Sequence, residues 1–168
     1  ICYPTAATTA CSWNPELLYE MGVRLGEESL KEKVSVLLGP GTNMKRSPLC
    51  GRNFEYFSED PYLTGVCAGA MTKGMAKAGA QTTIKHFAAN NTEYQRMKSN
   101  SRVSARALRE IYMKAFEIII KEAKPYAIMT SYNLLNCVRA SESKYLNQDV
   151  LREQWGHDGF VMSDWNSC

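Results

Sequence analysis

The most reactive candidate in the sequence is a carboxylate near its end. Asp164 directly follows the apolar segment at residues 160–163, and Trp165 comes after it. A carboxylate at the end of a strand can face an open cleft, where it can act as a nucleophile or exchange protons with a substrate. The adjacent indole offers a flat apolar surface of the kind on which a sugar ring stacks. Because an aspartate at a strand end is also a common helix cap or loop residue, other residues must decide its role.

Cationic and donor side chains end a second apolar strand and also occur in a loop. Lys85 and His86 are consecutive residues at the end of a predicted strand. Neighbouring strand residues point to opposite faces, so both side chains reach one site only if the backbone departs from regular geometry there. A core histidine and a solvent-facing lysine are the structural alternative. Arg52 can donate several hydrogen bonds to hydroxyl groups, or it can form a structural ion pair with Glu55 or Asp60.

The composition argues against several classes of function. The 20 basic and 17 acidic residues are spread along the chain without a basic stripe, so we expect no nucleic acid partner. No apolar run approaches the roughly 20 residues of a membrane-spanning helix, so we expect no membrane partner. The six cysteines and two histidines show no metal-ligand spacing, and we expect no metal site. Free thiols in a reducing compartment favour a cytoplasmic location.

Local sequence signals divide the chain into alternating helices and strands. Capping residues predict four helices, which begin after Asn14, Asp60, Ser104 and Asn147. Short apolar runs predict four strands, at residues 34–38, 82–87, 127–132 and 160–163, and a further strand is considered around residues 7–13. The connections are too long for hairpins, so the strands form parallel βαβ units of the α/β class.

The positions of polar residues distinguish the two architectures that fit this alternation, a doubly wound sheet and a (β/α)8 barrel. Each predicted strand ends in polar or backbone-exposing residues, from Gly39-Pro40 to Asp164. A barrel carries its active site at that face. A full barrel has eight strands and usually about 250 residues. We therefore expect a partial (β/α)8 TIM-like barrel, truncated at both ends.

Six stretches of the sequence together resemble glycoside hydrolase family 3, and more closely its bacterial-type β-glucosidase branch. They follow one another in the order of the family's motifs, at residues 38–41, 45–55, 58–61, 85–88, 130–133 and 159–165. The resemblance implies that residues 1–168 are part of an N-terminal barrel domain. It also implies that an α/β domain follows in the same full-length protein.

The resemblance implies a retaining β-glycosidase, which hydrolyses terminal non-reducing β-D-glucosyl or related residues through a covalent intermediate on Asp164. The substrate would be an oligosaccharide or a β-glycoside. No cofactor is required, because carboxyl groups can perform both the proton transfers and the nucleophilic attack. The non-reducing-end sugar would be bound by Arg52, Lys85 and His86, with Tyr132 beside the nucleophile and Trp165 lining the subsite.

Two departures from the family pattern affect the details. The segment that ends at Asn14 resembles the place where many family members carry an aspartate, which binds distal sugar hydroxyls. Asn14 keeps an acceptor oxygen but lacks the charge, and a role as helix N-cap explains it equally well. Phe87 is followed by two alanines, instead of the proline-glycine-histidine loop of the family's hexosaminidase branch. This difference argues against N-acetylglucosaminidase activity.

A retaining glycosidase also needs a second carboxyl group as its acid/base. Glu55, Glu59 and Glu93 are local candidates, but the first two are better interpreted as ion-pair partners near Arg52. In the two-domain members that the sequence resembles, the glutamate comes from the following domain. We therefore expect it beyond Cys168.

Two other functions remain open from the residues alone. Lys85 at a barrel strand end could form a Schiff base with a carbonyl substrate, as in an aldolase. A carbohydrate-binding protein could have the same pocket without turnover. The triplet that begins at Asn90 also matches a glycosylation acceptor, which matters only in a secreted eukaryotic protein.

Overall fold

The computed structural model describes residues 2–168, in which helices and strands alternate as expected for the α/β class. The helices are α1 (Ala6–Ala10), α2 (Pro15–Lys31), α3 (Pro61–Ala78), α4 (Ala105–Ala107) and α5 (Lys114–Ala123), with π-helical segments at Leu108–Tyr112 and Tyr145–Gln154 and a 3-10 turn at Ala140–Glu142. The strands are β1 (Val36–Leu37), β2 (Gln81–Phe87), β3 (Asn100–Ser101), β4 (Ala127–Thr130), β5 (Leu134–Leu135), β6 (Val138–Arg139) and β7 (Phe160–Ser163). Among these residues, no helix is both long enough and apolar enough to cross a bilayer.

The main sheet has four parallel strands in the order β1-β2-β4-β7. Each strand therefore pairs with the next long strand in the chain. A doubly wound sheet would reverse this order at its switch point, whereas a barrel keeps it. The sequential order favours the barrel, and within the described residues the sheet does not close on itself. The structure thus confirms a partial barrel.

Local capping explains where the long helices begin and end. The side chain of Asn14 accepts a hydrogen bond from the backbone N–H of Leu17, and Pro15 occupies the first turn of α2. Asp60 caps α3 in the same way. Gly79 ends that helix with a φ of 94°, a left-handed conformation that glycine adopts without steric cost. These boundaries agree with the sequence predictions.

Two local predictions are wrong. Residues 7–13 do not form a strand: α1 lies there, because alanine favours a helix and the Thr5 hydroxyl caps it by accepting from Thr8 N–H. Asn147 does not begin the last helical segment, which starts at Tyr145. Its amide instead donates to backbone carbonyls of the preceding 3-10 turn. Ser143 supplies the acceptor at the start of this segment, since its hydroxyl accepts a hydrogen bond from the Leu146 N–H.

A small second sheet was not predicted. Strand β3 pairs in parallel with β5, and β5 pairs antiparallel with β6. Each of these strands has only two residues, too few to show an alternating pattern in the sequence. The second sheet ties the loop after β2 to the loop after β4, and both loops contribute to the face where the main strands end.

The core lies between the main sheet and the helices that cover it. The ring of Phe87 from β2 packs edge to face on Phe116 from α5, with a distance of 5.1 Å between the ring centroids. It also packs at a tilt against Trp155, with a centroid distance of 5.8 Å. All three are buried. Because Phe87 directly follows His86, this packing anchors the end of β2 that carries the candidate site.

Helices α2 and α3 approach each other through glycines. A Cβ atom on Gly74 would lie 2.1 Å from the carbonyl oxygen of Tyr19, and one on Gly22 would lie 2.3 Å from that of Met71. Both obstacles are backbone atoms, which cannot move aside as a flexible side chain can. The two glycines therefore set the distance between the helices.

The glycine contact predicts a contrast within one helix. In the full-length protein, Gly74→Ala should lower the free energy of unfolding by about 1–3 kcal/mol, the usual cost of an overpacked contact. Gly69→Ala is the matched control, because its Cβ would meet no atom within 4 Å and alanine favours the helix by about 1 kcal/mol. Denaturant unfolding monitored by circular dichroism measures both. Equal stability of the two variants would contradict the close approach.

Candidate active site

An irregularity in β2 brings Lys85 and His86 to the same side. Lys85 pairs with Met129 of β4, and the next pair is Phe87 with Thr130, so β2 advances by two residues while β4 advances by one. His86 is the extra residue of this bulge. Both side chains line one cavity. The departure from regular strand geometry that the sequence required is therefore present.

The cavity has a volume of about 210 Å³ and lies where the main strands end. Its walls come from all four strands or from the loops that follow them. The lining residues are Leu38, Arg52, Lys85, His86, Arg96, Met129, Tyr132, Asp164 and Trp165. Six of the seven residues predicted for the site are thus brought together, as expected for the active-site face of a barrel.

A larger groove, of about 630 Å³, lies on the outer surface between α2, α3 and α5. Its floor is formed by small residues such as Gly65 and Gly69, and its rim carries scattered glutamates and Lys73. These side chains do not converge on one point as those of the smaller cavity do. The convergence of charged groups, rather than volume, identifies the smaller cavity as the candidate active site.

Glu55 holds two of the cations in the cavity. One of its carboxylate oxygens accepts from Arg52 Nε at 2.8 Å, and the other is 2.8 Å from Lys85 Nζ. Burial alone would raise the pKa of Glu55, but Lys85 and Arg52 outweigh burial, and the net pKa is lowered. Glu55 is therefore an ionised ion-pair partner, as expected. Asp60, the alternative partner of Arg52, caps α3 instead.

His86 is neutral and almost completely enclosed. It is 1% exposed, and burial together with the charges of Arg52, Lys85 and Arg96 lowers its pKa to about 2. Its Nε2 atom is 3.7 Å from Oδ2 of Asp164. Because the ring is uncharged, this contact is not an ion pair.

Asp164 is buried at the end of β7, with 5% of its surface exposed. Its Oδ1 atom accepts a hydrogen bond from the backbone N–H of Trp165 at 2.8 Å, which fixes the carboxylate and leaves Oδ2 towards the cavity. Burial, the charge of Asp164 and a hydrogen bond to it raise the pKa of Tyr132, whose hydroxyl faces the carboxylate. Trp165 is 72% exposed and forms the open rim. The predicted neighbours of Asp164 are therefore in place.

Arg96 lines the cavity but is not among the site residues predicted from the sequence. Its guanidinium lies 4.6 Å from the centre of the Tyr132 ring and pairs with Glu93 at 2.9 Å. Arg96 lies in the loop between β2 and β3. Loops that follow barrel strands form the active-site face, so a charged residue in this loop could have been considered.

The structure separates Asn14 from the other predicted site residues. It does not line the cavity, and its side chain caps α2. The capping explanation therefore accounts for Asn14. Glu59 is also not placed against Arg52: its carboxylate accepts from the Ser58 hydroxyl at 3.2 Å.

The glycosylation pattern at Asn90 falls on a buried side chain. Asn90 is 2% exposed, and its amide nitrogen donates to the Tyr56 hydroxyl at 3.2 Å and to Glu93 at 3.3 Å. A glycan on this nitrogen would displace both contacts. In the folded protein, Asn90 is thus a structural residue next to the candidate site.

The sequence model of the family described as "Glycosyl hydrolase family 3 N terminal domain" matches residues 2–168. The chain belongs to glycosyl hydrolase family 3. Thermostable beta-glucosidase B of Acetivibrio thermocellus is 54% identical over 166 residues, which are 99% of this chain and 22% of that protein. The exo-alpha-(1→6)-L-arabinopyranosidase of Bifidobacterium longum is 53% identical with the same coverage.

Solved structures of family 3 enzymes have the same fold. Beta-glucosidase 3B from Thermotoga neapolitana, in complex with glucose, gives a TM-score of 0.96 at 51% identity, covering 98% of this chain and 23% of that one. The beta-glucosidase of Kluyveromyces marxianus gives 0.98 at 47% identity, covering 99% and 20%. The chain spans about a fifth of the length of these relatives.

The buried neutral His86 predicts an acid-sensitive contribution to stability. Its pKa is about 2 in the folded protein, against about 6.5 in an unfolded chain, so only the unfolded state takes up a proton as the pH falls below 6.5. Stability should therefore fall with decreasing pH by up to about 1.4 kcal/mol per pH unit from this residue. In the full-length protein, His86→Asn should remove this dependence. Unfolding midpoints measured from pH 7 to pH 4 test it.

His157 remains in both proteins, so its own lowered pKa does not affect the comparison. The variant is expected to be less stable at pH 7, because it loses a packed ring. The decisive quantity is the slope with pH. Parallel curves for the two proteins would mean that folded His86 accepts a proton.

Proposed function

We propose that this chain carries the nucleophile side of the active site of a retaining β-glycosidase that acts on terminal non-reducing β-D-glucosyl or related residues. The observation that carries the proposal is the buried carboxylate of Asp164, which shares one small cavity with cationic donors, a neutral histidine and an exposed indole. An uncharged polar ligand with several hydroxyl groups and one apolar face matches these groups. A sugar ring has this character.

In the proposed reaction, Asp164 attacks the anomeric carbon of the sugar. The bond from that carbon to the glycosidic oxygen breaks as the acid/base carboxyl protonates that oxygen, and a covalent glycosyl ester forms. Water later displaces the Asp164 carboxylate and gives a proton back to the same acid/base group. The hydrogen bond from Trp165 N–H to Oδ1 holds the carboxylate in one orientation. Oδ2 is therefore the oxygen available for attack.

The cations have donors left for sugar hydroxyls. Lys85 has three N–H donors and Arg52 has five, whereas Glu55 offers only two oxygens to the pair. Glu55 fixes both side chains without using all their donors. Glu55 compensates one of the two positive charges, and the N–H donors that it leaves free can bind the hydroxyl groups of a neutral sugar.

We further propose that the acid/base carboxyl comes from an α/β domain that follows this barrel segment. Retention needs a second carboxyl group about 5–5.5 Å from the nucleophile. Glu55 is held by Arg52 and Lys85, and Glu93 is held by Arg96, so neither is available as a proton donor. The cytoplasmic location and the absence of nucleic acid and membrane partners stay predictions.

The aldolase alternative is less well supported. A Schiff-base lysine must have its amino group free to attack a carbonyl carbon, whereas the amino group of Lys85 is held by the Glu55 carboxylate at 2.8 Å. Borohydride trapping with a keto substrate tests this alternative.

The identity of the bound sugar is a separate question, because the compared relatives include both beta-glucosidases and an arabinopyranosidase at nearly equal identity. Aryl β-D-glucoside, β-D-xyloside and α-L-arabinopyranoside form the test panel.

The nucleophile assignment predicts a specific covalent label. A 2-deoxy-2-fluoro glycoside of the best substrate sugar, with an activated leaving group such as fluoride, should inactivate the full-length enzyme and leave one sugar on Asp164. The fluorine slows both steps, and the activated leaving group keeps formation of the ester faster than its release. Peptide mass mapping locates the label. Asp164→Asn should lower turnover by several orders of magnitude.

Asp158→Asn is the matched control, since Asp158 is an exposed aspartate six positions earlier in the sequence. It should keep normal turnover. A label on any residue other than Asp164 would refute the assignment. Sugar binding without any turnover by the unmodified full-length protein would favour the carbohydrate-binding alternative.

The hydroxyl-binding role predicts weaker inhibitor binding when a donor is removed. Lys85→Ala should weaken binding of a monosaccharide inhibitor such as gluconolactone roughly 10- to 150-fold, since a hydrogen bond to a charged group is worth about 1.5–3 kcal/mol. Lys73→Ala, on the outer groove, should leave the affinity unchanged. Isothermal titration calorimetry measures both, after circular dichroism has established that the variants are folded. Unchanged affinity in folded Lys85→Ala would remove Lys85 from the sugar site.

A further inference from the structure

The neutral ring of His86 can present either a donor or an acceptor to the cavity. A neutral imidazole carries one proton, either on Nδ1 or on Nε2. The Nε2 atom faces Asp164 and the cavity, and Nδ1 faces the protein interior. The groups around Nδ1 therefore decide what a bound ligand meets at Nε2.

Two buried groups lie near Nδ1. The Tyr56 hydroxyl is 3.1 Å away and the Asn43 Oδ1 atom is 3.3 Å away. Asn43 is already committed to the backbone of His86: its Oδ1 accepts from the His86 N–H, and its Nδ2 donates to the His86 carbonyl, both at 2.8 Å. Nδ1 could donate to Asn43 Oδ1 or accept from the Tyr56 hydroxyl, and the contact with Tyr56 is the shorter of the two.

The direction of the Tyr56 hydrogen bond follows from a chain that begins at Glu93. An ionised carboxylate only accepts hydrogen bonds, so Asn90 must turn its NH₂ group towards Glu93, at 3.3 Å. The same NH₂ group is 3.2 Å from the Tyr56 oxygen and donates its second hydrogen there. A flipped Asn90 would place its Oδ1 against the carboxylate. Arg96 holds the other oxygen of Glu93 at 2.9 Å.

The Tyr56 proton then has one place to go. Tyr56 is fully buried, and burial raises its pKa, so the hydroxyl keeps its proton. Within residues 2–168, its oxygen forms hydrogen bonds with Asn90 and with His86 Nδ1. Since Asn90 is a donor to Tyr56, the Tyr56 hydroxyl must donate to Nδ1. Nδ1 is then an acceptor, and the imidazole proton lies on Nε2.

We propose that Tyr56 and Asn90 are positioning residues that hold His86 in the tautomer with its proton on Nε2, so that His86 donates a hydrogen bond to an oxygen of the bound sugar. In the opposite tautomer, the Nε2 lone pair would face the carboxylate of Asp164 at 3.7 Å. That arrangement would turn the Nε2 lone pair towards the carboxylate and would leave the sugar without this donor. In the proposed tautomer Nδ1 lies 3.3 Å from Asn43 Oδ1 without a proton between them, and the hydrogen bond donated by Tyr56 at 3.1 Å offsets that contact. The part of the proposal that concerns the sugar rests on the proposed function; the tautomer does not.

Neutron crystallography of the deuterium-exchanged full-length protein, without ligand, tests the tautomer directly. We expect a deuteron on His86 Nε2, none on Nδ1, and the Tyr56 deuteron directed at Nδ1. A deuteron on Nδ1 would overturn the proposal. This measurement needs no variant and no activity.

Kinetics with monodeoxy substrates tests the consequence for sugar binding. In the wild-type enzyme, loss of the hydroxyl that His86 contacts should lower kcat/KM roughly 5- to 10-fold, as expected for one neutral hydrogen bond. In Tyr56→Phe, the ring is free to move its proton to Nδ1 and donate to Asn43. The variant should therefore be weaker on the complete substrate, and removal of that same hydroxyl should cost it less than 2-fold further. A merely structural role would lower kcat/KM by one factor for the whole series.

Tyr145→Phe is the matched control. Like Tyr56→Phe, it removes a phenol hydroxyl, in this case one that accepts a hydrogen bond from Arg109 Nε at 2.8 Å on the surface, away from the cavity. It should show the wild-type pattern. A uniform loss in Tyr56→Phe, or an unchanged penalty for every deoxy sugar, would overturn the positioning role.

The two proposals can fail separately. Absence of hydrolysis of every glycoside in the panel, with the deuteron on Nε2, would refute the proposed function and leave the tautomer assignment intact. Hydrolysis with the deuteron on Nδ1 would refute the positioning role alone.

Discussion

The cavity depends on one backbone constraint, the extra residue that β2 inserts opposite β4. In a regular strand, Lys85 and His86 would point to opposite faces, and only one of them could reach the cavity. The register shift lets both contribute. Lys85 then meets Glu55, and His86 meets Asp164. Phe87 follows His86 in the sequence and is packed in the core. The bulge could relax into a regular strand only if this buried ring were displaced, which would be costly.

The candidate active-site cavity also requires that the charges of its cationic side chains be compensated. Three cations and the carboxylate of Asp164 border the cavity, and unpaired charges at this degree of burial would be costly. Glu55 and Glu93 neutralise cations from outside the cavity wall, so the cations keep fixed positions. Burial, together with the remaining positive charge of these cations, lowers the pKa of His86 and keeps the ring uncharged.

Local signals made much of the fold predictable, whereas contacts between distant loops were not. A cap such as Asp60 or a left-handed Gly79 acts within a few residues, so the sequence contains the whole cause. The strand predicted around residues 7–13 is wrong because short segments of small residues fit either structure, and the Thr5 cap that decides for a helix lies outside that run. Strand-end motifs located Asp164 and Lys85-His86, while Arg96 and Tyr56 required knowledge of how loops fold back over the sheet.

The burial of Asn90 has a consequence for producing the protein in a eukaryotic secretory host. Oligosaccharyltransferase acts on the chain as it enters the endoplasmic reticulum, before the side chain is enclosed, and the Asn-Asn-Thr triplet fits its acceptor pattern. A glycan attached at that stage could not fit at a position that is 2% exposed when folded. Modified molecules would be trapped without the Asn90 to Tyr56 hydrogen bond and retained by quality control. A bacterial host avoids the modification and is the better choice for producing uniform, fully folded protein.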